Sequence, residues 1–279
     1  MMDTRRSCLP SGWYPQDGEA VSRFLSPFGS PSNRKALAAV APHAGWYYSG
    51  RFAAQAAASL ERGASTVIVA GGHLPAGMPP LFALEDQAAT PLGNIPIDAE
   101  LRDAVYEELK GREDRYQDNT VEVLLPMVRY FFPEARLLWI RLPAEISSFE
   151  AGKTIAMTAR SLERKTVFLG STDLTHYGPN YSFSPRGYGR KALEWVEKEN
   201  DRGFIDAVLA GNPEEALRRA EEDRSACSAG AVLGAMGFAS LCAGSKTPKA
   251  ELLVYGTSAA MSTDEIPDSF VGYGAFCFS

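Results

Sequence analysis

Histidine is scarce in this 279-residue chain, which contains three. Cysteine is little commoner: Cys8, Cys227, Cys242 and Cys277, with no CxxC spacing. That excludes a zinc ribbon, a thioredoxin-like dithiol and a disulfide-stapled small domain. A reducing, cytoplasmic setting is the economical expectation, and Cys242 and Cys277, in apolar stretches, read as small buried hydrophobes. No apolar run is long enough to span a bilayer, and Met-Met-Asp-Thr-Arg-Arg-Ser-Cys8 lacks the apolar centre of a secretory signal. Basic excess is missing too. The formal net charge is −6 and Lys and Arg are scattered, so neither a nucleic acid nor a membrane is expected as a partner.

What is present is ordinary globular composition, 45% hydrophobic and 22% charged. No low-complexity linker or repeat divides the chain, and residues 1–279 read as one domain. Strand-like runs fall at 36–41, 66–70, 137–142, 166–170, 251–255 and 271–278. Helical spacing of apolar residues fills 50–62, 99–110, 120–132, 148–162, 190–209, 213–222 and 228–241. Asn212-Pro213-Glu214-Glu215 is a well-formed helix start. Strands alternating with helices predict an α/β fold with a central mixed or mostly parallel sheet between helices.

Each histidine sits where an apolar run breaks into a turn: Ala-Val-Ala-Pro-His43-Ala-Gly, Val-Ile-Val-Ala-Gly-Gly-His73 and Val-Phe-Leu-Gly-Ser-Thr-Asp-Leu-Thr-His176. Ligands of open α/β sheets bind at the carboxyl ends of strands. Taken singly, His43 reads more readily as a hydrogen-bonded structural histidine and His73 as part of a plain turn. Together they gain weight, because a strand–helix–strand unit puts both strand ends on one edge of the sheet, and imidazole is the commonest metal ligand. The expectation is that the two strands are neighbours. A third ligand is then required. Cys227, at a helix start, is a candidate because the helix N-terminus favours thiolate; a small buried residue is the plainer alternative.

Asp173 beside His176 suits an oriented general acid/base or a supporting pair. Glu122 stands at a helix start, where capping explains it; it could also face the site. The long loop 177–189 reads either as a lid or as a surface excursion.

In order and spacing, several segments together resemble the Memo family. They are Gly12-Trp13-Tyr14-Pro15, Ala-Pro-His43-Ala-Gly-Trp46-Tyr-Tyr-Ser-Gly50, the strand ending at His73, Thr90-Pro91-Leu92-Gly93, Glu122, Ser171-Thr172-Asp173-Leu174-Thr175-His176-Tyr177-Gly178, and Cys227 in its small-residue helix start. The resemblance implies a fold similar to class III extradiol dioxygenases. It implies one transition metal, Fe(II) or Cu, with Zn also suited, held by His43, His73 and Cys227, and His176 with Asp173 as the catalytic pair. Trp13, Tyr14, Trp46 and Glu122 become candidates for binding a small-molecule or peptide substrate. Microbial relatives resemble the Memo component of the AmmeMemoRadiSam system, which implies AMMECR1-like and radical-SAM partner proteins. Leu9, Asn119 and Leu74 replace histidines common in the family. Three functions follow as expectations: a metal-dependent, dioxygenase-like oxidoreductase; a non-catalytic binding module built on Trp13, Tyr14, Trp46, Tyr47 and Tyr48; and a Cys227–His176–Asp173 hydrolase.

Overall fold

Along the apolar runs, successive side chains enter two different cores. Val67 and Val69 face one, Ile68 and Ala70 the other; Leu137 and Trp139 alternate with Leu138, Ile140 and Leu142 in the same way. A sheet buried on both faces reads as a continuous apolar run rather than an alternation, which is why these strands are legible in the sequence. The structure, a computed structural model, describes residues 2–30, 35–244, 248–262 and 265–279.

Six long strands carry the sheet: β1 (Ala38–Ala41), β2 (Thr66–Leu74), β3 (Arg136–Pro143), β4 (Thr166–Ser171), β5 (Ala250–Thr257) and β6 (Phe270–Phe278). The order β1-β4-β2-β3 is parallel throughout. β6 runs antiparallel to β1 and carries β5 and the short strand His176–Tyr177. Leu81–Phe82, antiparallel to β3, and Arg112–Glu113 extend the other edge. The sheet is therefore mixed around a parallel centre and lies between helices, as expected. A small separate sheet joins Thr4–Arg5, Gln87–Ala88 and Ile95–Pro96.

Helices Trp46–Ser59 and Leu125–Phe131 cover one face; Ser147–Ser161, Asp201–Leu209 and Ala229–Cys242 cover the other. Ala229–Cys242 is buried all round from Ala229 to Ala239, as befits a helix without a polar face. Its glycines let it lie close to its neighbours. A Cβ at Gly230 would strike the carbonyl oxygen of Pro143, and one at Gly237 would strike that of Phe149 in the adjacent helix.

Some elements differ from the sequence expectation. The 120–132 stretch is two helices, Asn119–Glu122 and Leu125–Phe131. Pro126 has no N–H for the Glu122 carbonyl, so the first helix cannot continue through it. The 190–209 stretch is interrupted by a wide turn at Val196–Asn200. Gly18–Leu25 is an additional helix, capped by Asp17 accepting from Ala20 N at 2.9 Å. β1 and β2 are not neighbours: β4 lies between them. The crossover through Trp46–Ser59 skips one position, and β4 returns later to fill it. The 177–189 loop is tied down, with Tyr177 stacked on Phe270 at 5.1 Å and donating to Gly187 O at 2.8 Å.

Gly237→Ala should lower unfolding stability by about 1–3 kcal/mol, the usual cost of overpacking a tight core. Urea denaturation of both chains tests this, and an unchanged midpoint would contradict the close helix crossing.

Candidate functional site

At the carboxyl ends of β1, β4 and β2 the chain makes three short turns, and their polar residues meet. His43 follows β1 by two residues, and Pro42 fixes the turn. The residue is 1% exposed. Its main-chain N–H donates to Asp173 Oδ1 at 2.8 Å, and its Nδ1 lies 2.6 Å from Ser171 Oγ at the end of β4. Asn119 Nδ2 donates to its carbonyl at 2.9 Å. Position and ring angle of His43 are thus fixed from three sides.

His73 is aimed by a break in β2. The pairing of β2 with β3 shifts register between Gly71 and Leu74, and His73 has φ 56°. A bulge re-aims a side chain, and a left-handed non-glycine residue marks strain held by its surroundings. Gly71 and Gly72 make the bulge fit, since a Cβ at the first would overlap Thr120 and at the second Ser228. His73 Nδ1 donates to Asp118 Oδ2 at 3.0 Å. A carboxylate only accepts, so Nε2 keeps its lone pair for a ligand.

Cys227 closes the cluster from the other side. Its N–H donates to Asp173 O at 3.2 Å, and Ser228 N donates to Thr172 Oγ1 at 3.1 Å. These bonds seat the start of the Ala229–Cys242 helix on the end of β4. Cys227 Sγ lies 3.2 Å from His43 Nε2. The rings of His43 and His73 stand edge to face at 4.9 Å. One ligand atom from each of His43, His73 and Cys227 falls within 4.8 Å of the others, so the three form a cluster able to hold a metal ion.

The electrostatics favour that set. Burial pushes the Cys227 thiol up, but the two imidazoles outweigh it and hold the thiol well below its ordinary range. Burial opposes charge on His43, yet Cys227 and Asp173 raise it above its usual value. For His73 burial is likewise outweighed, by Asp118 and Cys227, and its pKa is pushed up to about 10. Without a metal, the thiolate is balanced by imidazolium. Asp173, 3% exposed, is pushed up by burial, with His43 pulling the other way.

Behind His73 stands a network that sequence reasoning missed. Arg141 reaches Asp118 at 3.3 Å and Asp114 at 3.4 Å, and its Nε donates to Gly72 O at 2.9 Å. Asp114 accepts from Trp139 Nε1 at 3.1 Å. Burial disfavours charge on Asp118, but His73, Thr120 and Arg141 hold its carboxyl well below the ordinary range. The available signal was Asp118 two residues before Thr120, which reads locally as a helix cap. It is that as well, accepting from Thr120 N at 2.9 Å.

His176 lies apart from the cluster on the wall of the same cleft. Its Nδ1 donates to Leu174 O at 3.2 Å and its ring meets Tyr181 edge to face at 4.9 Å. The imidazole against Cys227 is that of His43, and Asp173 binds the main chain of His43. The Cys227–His176–Asp173 relay expected of a hydrolase is therefore not the pairing that forms.

The cleft has a volume of about 930 Å³ and is lined by His43, His73, Asp173, His176 and a group of aromatics. Of the four residues expected to bind substrate, Trp13 lines it. Tyr14, Trp46 and Glu122 stand behind its wall. Trp46 Nε1 donates to Val123 O at 2.9 Å, and its ring packs on Phe24 at 4.9 Å. Glu122, 3% exposed, accepts from Ser7 Oγ at 2.6 Å, Cys8 N at 2.9 Å, Leu9 N at 3.0 Å and Tyr14 OH at 2.9 Å. It fastens the N-terminal segment to the core.

The family profile described as "Memo-like protein" matches residues 5–277, and the chain belongs to the Memo family. A MEMO1 family protein of Methanococcoides burtonii is 32% identical over 86% of this chain and 85% of its own length. MEMO1 family proteins of Pyrococcus furiosus and Thermococcus onnurineus are 30% and 29% identical, each over at least 97% of both chains. Among solved structures, an uncharacterized protein from Escherichia coli K12 is similar, with a TM-score of 0.45 and 13% identity over 86% of this chain and 98% of that one. Among the described residues, no helix is long and apolar enough to cross a membrane.

Asp201 supports the segment that carries Asp173 and His176. It is fully buried and accepts from Thr175 N at 3.0 Å, from Thr175 Oγ1, and from Tyr255 OH at 2.8 Å. Burial pushes it up from its ordinary 3.8 to about 6. A raised carboxyl favours the folded state fully below its unfolded value, and this advantage is lost as the pH climbs through the folded value. Relative to Asp201→Asn, the wild-type chain should lose on the order of 3 kcal/mol of stability between pH 4 and 7. Urea titrations of both chains across that range test it; parallel pH profiles would refute the raised value.

Proposed function

We propose that this chain is a metal-dependent oxidoreductase of dioxygenase-like fold, acting on a small organic molecule in the cleft. The observation that carries the reading is the meeting of His43, His73 and Cys227, one ligand atom of each within 4.8 Å of the others. The donor set fits a transition metal: two imidazoles, each with Nδ1 engaged elsewhere, and a thiol favoured as thiolate. Thiolate and imidazole together suit Cu, Fe(II) or Zn, and the redox reading selects Fe(II) or Cu. Bound there, the metal would supply redox chemistry with oxygen.

The chain's own residues have defined tasks in this reading. Ser171 and Asp118 orient the two imidazoles. His176, with Nδ1 facing a carbonyl, keeps the Nε2 lone pair free to take a proton from a substrate hydroxyl or amine and return it. Asp173 fixes the His43 turn and lies on the cleft wall near that proton's path. Trp13 and the cleft tyrosines position the substrate and exclude water. The sparse cysteines suit a reducing, cytoplasmic setting, and in this reading AMMECR1-like and radical-SAM proteins are the partners.

Metal analysis after anaerobic purification and reloading should give about one ion per wild-type chain. It should give almost none for His43→Ala or Cys227→Ser, while Asp118→Asn should bind about 10–100-fold more weakly. Iodoacetamide should label Cys227 in the metal-free chain and be blocked by metal. Full metal content in both ligand variants, or labelling indifferent to metal, would overturn the assignment.

A further inference from the structure

Cys227 faces a different space from the two imidazoles. The described residues that line the cleft include His43 and His73 but not Cys227. The thiol residue is nevertheless partly exposed, and it lines a second recess of about 380 Å³ with Ala220, Arg224 and Ala226. These four residues come from the end of the helix Pro213–Glu222 and the turn that leads into Ala229–Cys242. None of the four is among the described residues lining the cleft.

Three side chains line both spaces: His73, His176 and Tyr181. They form the partition. His176 meets Tyr181 edge to face at 4.9 Å, and His73 meets His43 edge to face at 4.9 Å. Cys227 Sγ stands 3.2 Å from His43 Nε2. The Tyr181 end of the partition is tied from both sides. On the cleft side Asn180 N donates to Ser269 Oγ at 3.2 Å. On the recess side Arg224 donates to the carbonyls of Tyr181 at 3.2 Å and Ser182 at 3.3 Å. The cluster therefore stands between two openings, with imidazoles toward the cleft and the thiol toward the recess.

This arrangement has a use. An organic molecule seated in the cleft blocks that approach to the cluster, so a second reactant needs another way in. The recess leads to the thiol past Ala220 and Ala226, whose single methyl groups leave the way open; a larger side chain at either place would stand in it. We infer that the recess is a separate entrance to the cluster, through which a co-reactant of a few heavy atoms arrives while the organic substrate occupies the cleft. In the oxidoreductase reading, on which this choice of co-reactant rests, that molecule is dioxygen.

The test is alkylation of Cys227 in the metal-free full chain, followed by peptide mass spectrometry, with a small probe, iodoacetamide, and a bulky one, N-(1-pyrenyl)maleimide. The thiolate attacks both, so the ratio of the two rates cancels the thiolate fraction and reads access. Cys242, exposed in the same chains, is the internal reference. Ala220→Phe should raise the ratio of the iodoacetamide rate to the maleimide rate at least tenfold. Arg224→Ala, at an exposed position, should lower it at least threefold by widening the mouth. Met261→Trp, on the wall of the cleft, should leave it within twofold of wild type. Circular dichroism identifies a misfolded Ala220→Phe chain, and Arg224→Ala then decides alone. A ratio that ignores the folded recess variants overturns the inference, as does one that Met261→Trp moves as far as they do. Zinc content of the same chains after reloading reads the metal centre by itself. Recess-controlled alkylation in a chain that holds no zinc sinks the metal centre alone, whereas stoichiometric zinc with alkylation indifferent to the recess sinks the entrance alone.

Discussion

The site depends on one close approach: the start of the Ala229–Cys242 helix must rest directly on the carboxyl ends of β2, β3 and β4. Cys227 reaches the imidazoles because nothing larger than hydrogen stands at Gly72, opposite Ser228, or at Gly230, opposite the Pro143 carbonyl. Gly170 in β4 is a third such place, where a Cβ would come within 2.6 Å of Ala231 O. The small residues at this contact, Gly72 and Gly170 on the strands and Gly230 on the helix, are thus as much a part of the site as His43, His73 and Cys227. A single methyl at any of these contacts would push the thiol outward, and a ligand set misplaced by an ångström is a poor one.

The interposed strand β4 sharpens that requirement. His43 and His73 arise from strands two positions apart, and side chains on such strands meet only if the strand between them ends early and small. β4 ends at Gly170-Ser171, and Ser171 serves as the hydrogen-bond partner of His43. On the other side, the bulge at Gly72-His73 swings the second ring inward, with Asp118 and Arg141 holding it. Burying Arg141 between two carboxylates carries a large desolvation cost, and such a network is weak evidence for stability. Its geometric result is specific: it fixes which nitrogen of His73 faces the thiol.

Much of this was legible in the sequence. The long strands announced themselves because burial on both faces demands unbroken apolar runs, and the turns after them marked where chemistry would gather. Strand order was not legible, because Val67–Ala70 pairs as well with any apolar parallel neighbour, and β4 is inserted from a hundred residues downstream in the chain. The roles of acids were harder still. Glu122 looks like a site carboxylate and is an anchor for Ser7, Cys8, Leu9 and Tyr14. Asp118 looks like a cap and also orients His73. Asp201 sits within a helical run, where an acid ordinarily signals a solvated face, yet it is sealed inside and holds Thr175. Sequence spacing reports which residues share a segment; it does not report what lies across from them.

The three histidines differ in how they are held, and that difference sorts them. His43 and His73 have Nδ1 engaged by the side chains of Ser171 and Asp118, and both Nε2 atoms are directed to the thiol side of the cluster; fixed rings of this kind suit ligands, which gain affinity from not moving. His176 has one contact of that type, to the main-chain carbonyl of Leu174 at 3.2 Å, and it is only half-buried beside Tyr181. A carbonyl accepts and never donates, so the proton sits on Nδ1 and the other nitrogen is open toward the cleft. A ring that is anchored at one edge and open at the other can exchange a proton with a bound molecule without disturbing the cluster. The same sheet edge therefore presents two imidazoles fixed by side chains and one held only by a main-chain carbonyl, and in the reading proposed above the first two are the metal donors and the third the base.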